Sequence, residues 1–103
     1  MPVKEYIIPY TKDARKRHLH DTSKSKVVKF MVQLEVNYKG NWMEVVRYDC
    51  SHGFAHRDSY NVFGKQIKEE LYLNFEDALT LADDDIDENW ETYKHKFLEG
   101  GTP

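Results

Sequence analysis

Hydrophobic and polar residues alternate from Val27 to Tyr38. The apolar side chains of this segment fall on one side, at Val28, Phe30, Val32, Leu34, Val36 and Tyr38. A period of two is that of an extended strand with one buried face. A short turn at residues 39–41 follows, so we expect a hairpin and a second strand over residues 42–49. Two further strands, over residues 54–60 and 65–71, complete a predicted meander.

The period changes from two to between three and four after residue 74. The apolar positions there are Phe75, Leu79, Ala82, Ile86, Trp90, Tyr93 and Phe97. This spacing predicts one long amphipathic helix, with Asn74 as its N-cap and Gly100 near its end. We expect Trp42, Trp90 and Phe97 in the core. The predicted fold is α+β, an antiparallel meander of four to five strands with one C-terminal helix packed on one face.

The first 26 residues lack a comparable pattern. Residues 6–10 are compatible with an edge strand, whereas residues 11–26 are predicted to form a mobile basic loop. The chain is therefore predicted to be a single domain in three parts: a basic N-terminal arm over residues 1–26, the meander over residues 27–72 and the helix over residues 74–99.

Length and composition limit the class of protein. A chain of 103 residues can build one hydrophobic core. Its single Cys excludes an intramolecular disulfide and cannot form a thiolate metal cage. Neither a transmembrane run of roughly 20 apolar residues nor a secretory leader is apparent. We therefore expect a cytoplasmic protein without a membrane partner, and the oligomeric state stays open.

The charge is strongly polarised along the chain. Residues 1–29 hold eight Lys/Arg against three Asp/Glu, whereas residues 69–103 hold two against eleven. One interpretation is that both ends bind partners, the acidic helix a basic protein and the arm a nucleic acid or an acidic protein. The arm residues expected to contact nucleic acid are Arg15, Lys16, Arg17, Lys24 and Lys26. The alternative is that these charges serve solubility alone.

Chemistry-bearing residues are concentrated between residues 47 and 60. This run holds two His, two Asp, two Arg, two Tyr and the only Cys. Proton carriers and anion clamps are drawn from these residue types. The candidate catalytic residues are His56 as acid or base, Asp49 or Asp58 to orient it, Arg47 to neutralise phosphate charge, and His52. The alternative is that His56 makes only a structural cross-strand hydrogen bond.

The spacing of the two histidines argues against a shared metal. Four residues of extended strand separate His52 from His56 by roughly 13 Å, unless Gly53 bends the chain. We therefore predict no metal and no cofactor.

Register arguments place the candidate residues relative to one another. An even-length turn between the second and third strands puts four of them on one face: Arg47, Asp49, His56 and Asp58. In the tightest register Asp49 faces His56 and Arg47 faces Asp58. The preceding hairpin decides which face they share. A two-residue turn puts them on the helix-covered face, in a polar pocket, and a three-residue turn puts them on the far face. We expect the pocket.

The same segment carries a resemblance to known proteins. The pattern is Trp42-x-x-Val45-Val46-Arg47-Tyr48-Asp49-x-x-His52-Gly53-x-x-His56-x-Asp58, followed by Asn61-x-x-Gly64-Lys65. Over residues 30–97 the chain resembles a family of small uncharacterised prokaryotic proteins that look like relatives of the TumE-type toxins of toxin-antitoxin pairs. Those toxins also carry an Arg-Tyr-Asp strand followed by a His-bearing turn and strand. The resemblance implies a sheet-plus-helix domain and a small antitoxin-like partner.

Two functions are compatible with these observations. The first is a toxin-like, metal-independent enzyme acting on nucleic acid through the His/Asp/Arg pocket. The second is a non-enzymatic interaction module that binds a partner through its acidic helix or basic arm. An enzyme requires the polar side chains to converge on a reachable cavity, whereas a module requires only an exposed surface.

Overall fold

The computed structural model describes residues 3–103 and contains one antiparallel sheet and one helix. Six strands pair in chain order. They are β1 (Val3–Thr11), β2 (Ala14–Ser23), β3 (Lys26–Tyr38), β4 (Asn41–Asp49), β5 (His56–Tyr60) and β6 (Gln66–Glu70). The α+β class and the meander are confirmed, but the sheet has six strands rather than four to five.

The additional strand is β2, in the segment predicted to be a mobile loop. It pairs with β1 on one side and with β3 on the other, so the loop prediction is wrong. Two residues, Lys24 and Ser25, connect β2 to β3 with positive φ values of 51° and 65°. This geometry matches the twist of a hairpin but is usually formed by Gly or Asn, so Lys24 and Ser25 are not recognisable as a hairpin turn from their residue types.

The helix α1 (Phe75–Leu98) begins as predicted. Asn74 caps it by accepting a hydrogen bond from the backbone N–H of Asp77 at 2.8 Å. Its buried face carries Ala78, Ala82, Ile86 and Phe97 and packs mainly on β3 and β4. Trp90 is partly buried and stacks parallel to Tyr10, with ring centroids 5.0 Å apart.

Trp42 lies outside the core, against expectation. It is 38% exposed, and the guanidinium of Arg15 lies 3.8 Å from its ring centroid. Within residues 3–103, no helix is both long and apolar enough to cross a bilayer.

A β-bulge in β4 decides which way the candidate residues face. The β3–β4 hairpin has the two-residue turn that was expected, because Tyr38 pairs with Asn41. However, Glu35 pairs with Glu44 while Leu34 pairs with Val46, which leaves Val45 as one extra residue. An extra residue reverses the side on which all later residues of a strand lie. The candidate residues therefore lie on the sheet face opposite α1, and the predicted pocket under the helix is wrong.

Candidate functional site

The four candidate residues of β4 and β5 form the two predicted cross-strand pairs. Asp49 is opposite His56 and Arg47 is opposite Asp58. Nε2 of His56 contacts Oδ1 of Asp49 and lies 3.7 Å from Oδ2 of Asp58. Although no helix covers this face, Asp49, His56 and Asp58 are each only 5% exposed. The group therefore lies on the far face of the sheet rather than in a pocket under the helix, and it is nevertheless shielded from solvent.

Both nitrogens of the His56 ring face oxygen atoms. Nδ1 lies 3.3 Å from the carbonyl oxygen of Phe54, while Nε2 faces the two carboxylates. Both nitrogens can donate at once only in the imidazolium form. Oδ1 of Asp58 is buried without a hydrogen-bond partner, and so is Oδ1 of Asp49, which contacts the ring without forming a hydrogen bond. Burial of such oxygens costs free energy, so packing alone does not account for the cluster.

Arg47 makes its hydrogen bonds to neighbouring side chains of the sheet. Its Nε donates to Oδ2 of Asp49 at 2.6 Å, and a terminal nitrogen donates to Glu44 at 3.3 Å. Burial opposes the charged form, but these carboxylates outweigh it and raise the pKa of Arg47. The guanidinium therefore positions Asp49, and the expected role of Arg47 in neutralising phosphate is not supported by these contacts.

The hydrogen-bonded network continues from Arg47 to β2. A terminal nitrogen of Arg47 donates to Gln33 at 3.4 Å, and the Gln33 amide donates to Glu35. Glu35 also accepts from Nε of Arg15 at 2.6 Å and from Nε of Arg17 at 3.0 Å. Burial alone would raise the pKa of Glu35, but hydrogen bonds from these three side chains lower it. Two of the predicted nucleic-acid contacts thus belong to this ion-pair network.

The other basic residues of the predicted arm are separated by the fold. Lys16 is buried on the opposite face, where Nζ lies 3.1 Å from Oδ1 of Asp83 and 2.9 Å from Oδ1 of Asp87. Lys24 and Lys26 are exposed at the β2–β3 turn. The five residues therefore do not form one basic surface.

A cavity of about 230 Å³ opens beside His56. It is lined by His52, Phe54, His56, Lys68, Glu69 and Glu70. Gly53, at φ 88°, bends the chain in the way that the spacing argument left open. This bend brings the rings of His52 and His56 to a centroid distance of 5.4 Å.

Four residues that line the cavity were not among the predicted site residues: Phe54, Lys68, Glu69 and Glu70. For Lys68 and Glu70 the signal is the β5–β6 register, in which Asp58 is opposite Lys68 and His56 is opposite Glu70. Predicting this register requires the exact length of the β5–β6 turn, which the residue pattern does not determine.

Cys50 does not join this site as a nucleophile. It is buried, and its Sγ contacts the backbone of Phe30. Burial raises the pKa of the thiol, which keeps it protonated and unreactive. Among residues 3–103, no three His, Cys, Asp or Glu side chains converge closely enough to enclose a metal ion. At the cavity, the imidazoles of His52 and His56 can carry protons, and Lys68 supplies an ammonium group beside them.

Comparison with known proteins gives a family for this chain. No curated protein and no solved structure matches it. One family model does match, over residues 1–102. Since this match spans nearly the whole chain, the protein belongs to the family described as Domain of unknown function (DUF7718).

Proposed function

We propose that the chain is a metal-independent enzyme that cleaves RNA at the cavity between the β4–β5 loop and β6. The supporting observation is that the imidazoles of His52 and His56 line this one cavity together with Lys68. Two proton carriers beside a cation are the requirement for acid–base cleavage of a phosphodiester.

We propose RNA rather than DNA as the substrate because RNA carries its own nucleophile, the 2′-hydroxyl. In RNA the 2′-oxygen can attack the adjacent phosphorus, forming a new P–O bond while the bond to the 5′-oxygen breaks. A base must take the proton of the 2′-hydroxyl, and an acid must give a proton to the departing 5′-oxygen. No external nucleophile is needed, so a site with two imidazoles suffices.

The two histidines have different positions and hence different roles. His52 is exposed, so it can take the proton from the substrate hydroxyl. His56 is the acid. Its Nε2 is held against Asp49, while its Nδ1 proton is retained only by a carbonyl oxygen at 3.3 Å. Asp49 is thereby the orienting carboxylate, and Arg47 positions Asp49.

Lys68 replaces Arg47 as the group that neutralises the phosphate. Glu69 and Glu70 line the same cavity and repel an anion, so the phosphate is confined to the vicinity of Lys68. The proposed substrate is an unpaired strand, because a cavity of about 230 Å³ is too small for a duplex.

The products of the reaction test this proposal. The purified chain, incubated with single-stranded RNA in excess EDTA, is expected to leave 2′,3′-cyclic phosphate ends and to spare an oligonucleotide with 2′-deoxyribose. RNA that stays intact, or equal cleavage of the deoxy oligonucleotide, would contradict it.

A second candidate function is binding of a basic protein partner, such as an antitoxin-like neighbour. The observation that favours it is a row of exposed acidic residues on α1 that make no ion pair within residues 3–103: Asp77, Asp84, Glu88 and Glu91. Other acidic residues of α1 contact the sheet, as Asp83 and Asp87 do with Lys16 of β2. The two functions are compatible, because the row and the cavity lie on opposite faces of the sheet.

A further inference from the structure

A second pair of histidines lies on β2, on the face covered by the helix. His18 and His20 are separated by one residue, so the period of two puts both rings on the same side of the strand. Nε2 of His18 lies 2.6 Å from Nδ1 of His20. Two imidazole nitrogens that point at each other can share a proton or hold a metal ion between them.

Asp83 of the helix prepares His18 for the second role. Nδ1 of His18 lies 3.1 Å from Oδ1 of Asp83, so the ring donates its proton there and leaves the Nε2 lone pair directed at His20. A carboxylate behind a histidine is the usual outer-shell arrangement of metal-binding histidines. Asp83 itself is on the far nitrogen and is not a third ligand.

The His18 ring is also fixed in place. Its side chain is 2% exposed and stacks on Tyr6, with ring centroids 4.5 Å apart and planes at 11°. His20 is half-buried and leaves access from solvent. The nearby charge of Lys16 is compensated, because its ammonium group contacts both Asp83 and Asp87. One ligand, His18, is held by its neighbours, and the other, His20, is accessible to solvent. The site can therefore open by a shift of the His20 side chain alone.

We propose that His18 Nε2 and His20 Nδ1 bind one divalent transition-metal ion of the zinc class, with water in the remaining positions. Zn–N bonds of 2.0–2.1 Å in a tetrahedral site require the two nitrogens to be about 3.3 Å apart. His20 must therefore swing outward by under about 1 Å, and its Nδ1 proton passes through solvent to Nε2. The site is independent of the proposed RNA cleavage, which uses the other face of the sheet.

Calorimetric titration of the full chain with Zn²⁺ tests this proposal. The wild type is expected to bind one equivalent of Zn²⁺ within a titration that extends to 1 mM, with the Asp83 carboxylate strengthening the His18 ligand. His20→Gln should weaken binding at least tenfold, and Asp83→Asn roughly tenfold, since outer-shell carboxylates typically contribute that factor or more.

Matched controls separate this pair from the other histidines. His95→Gln, on the exposed side of α1, and His52→Gln, at the cavity, should leave the affinity unchanged. The thermal unfolding midpoint of each variant, measured without zinc, checks that the variants are folded. Absence of binding at 1 mM Zn²⁺, or binding that His20→Gln leaves intact while His52→Gln abolishes it, would overturn the proposal.

Discussion

The imidazole of His56 lies against the carboxylate of Asp49 across the β4–β5 pair. Both side chains are buried on the sheet face that lacks a helix, and Arg47 holds the second oxygen of the same carboxylate at 2.6 Å. Asp58 approaches the ring less closely, at 3.7 Å, and within residues 3–103 it accepts no hydrogen bond from an arginine, although one oxygen of each carboxylate is buried without a hydrogen-bond partner. The two carboxylates therefore differ in what they contribute to the protein.

This difference predicts opposite outcomes for two matched substitutions. Asp49→Asn removes the partner of both His56 and Arg47 and should lower the free energy of unfolding by about 2 kcal/mol. Asp58→Asn replaces an oxygen that has no partner, and it should leave stability within about 0.5 kcal/mol of the wild type. Urea unfolding monitored by tryptophan fluorescence gives both values. Equal losses for the two variants would show that the contacts do not set their roles.

The bulge at Val45 predicts that β4 tolerates a deletion at this point. Removing Val45 leaves a regular ladder in which Val46 is still opposite Leu34 and Arg47 is still opposite Gln33, so the later residues of β4 keep their faces. Deletion of Val45 should therefore cost no more than Val45→Ala, about 2 kcal/mol for the lost buried side chain, and should keep cooperative unfolding. Urea unfolding of both variants measures this. Loss of cooperative unfolding in the deletion variant would contradict the register.

The buried carboxylate of Glu35 predicts a dependence of stability on pH. Its pKa is lowered from the ordinary value of 4.5 in the folded protein by Arg15, Gln33 and Arg17, against the opposing effect of burial. A lowered pKa contributes stability at pH values above 4.5, and this contribution is lost as the pH falls through the folded-state pKa. Glu35→Gln should therefore cost about 2 kcal/mol at pH 7 and less at low pH.

Urea titrations of wild type and Glu35→Gln between pH 3 and pH 7 measure this dependence. The two stability curves are expected to converge toward acid. Curves that stay parallel over the whole range would indicate that the Glu35 charge contributes nothing to the fold.

The fold was predictable where polarity and position agree. In β3 the inward positions are apolar, and in α1 the apolar spacing matches the buried residues Ala82, Ile86 and Phe97. In β2 the inward positions include Lys16 and His18, which are buried because Asp83 and Asp87 of the helix pair with them. A strand whose inward side chains are polar and pair with the helix lacks the alternation of hydrophobic residues. The residue pattern of β2 therefore predicts a loop.

The candidate site was predictable in its pairs but not in its face. The even-length turn between Asp49 and His56 correctly gave both cross-strand pairs. The sheet face on which the candidate residues lie depended on one extra residue, Val45. Its neighbours, Glu44 and Val46, give no sign of a bulge. Residues 45 and 46 are both valine, so either of them suits a buried position. A regular strand and a bulged strand are therefore equally compatible with the sequence.

The exposed acidic row of α1 predicts a surface that affects binding but not folding. Replacing Asp84, Glu88 and Glu91 with Asn or Gln should change the free energy of unfolding by less than about 0.5 kcal/mol. If a basic partner uses this row, the same change should reduce its association rate at low salt, with a smaller effect at 0.5 M salt. Surface plasmon resonance with the product of a neighbouring gene measures the rate. An unchanged rate at low salt would count against the row as the contact.

The rate of RNA cleavage by two histidine variants tests the central claim most directly. His52→Gln and His56→Gln remove the two proton carriers of the cavity, and each should slow single-turnover cleavage in EDTA by about 10² or more. His95→Gln, on the exposed side of the helix, should cleave at the wild-type rate. Thermal unfolding of each variant establishes that it is folded. Folded His52→Gln and His56→Gln proteins that cleave as fast as the wild type would contradict the assignment of the site.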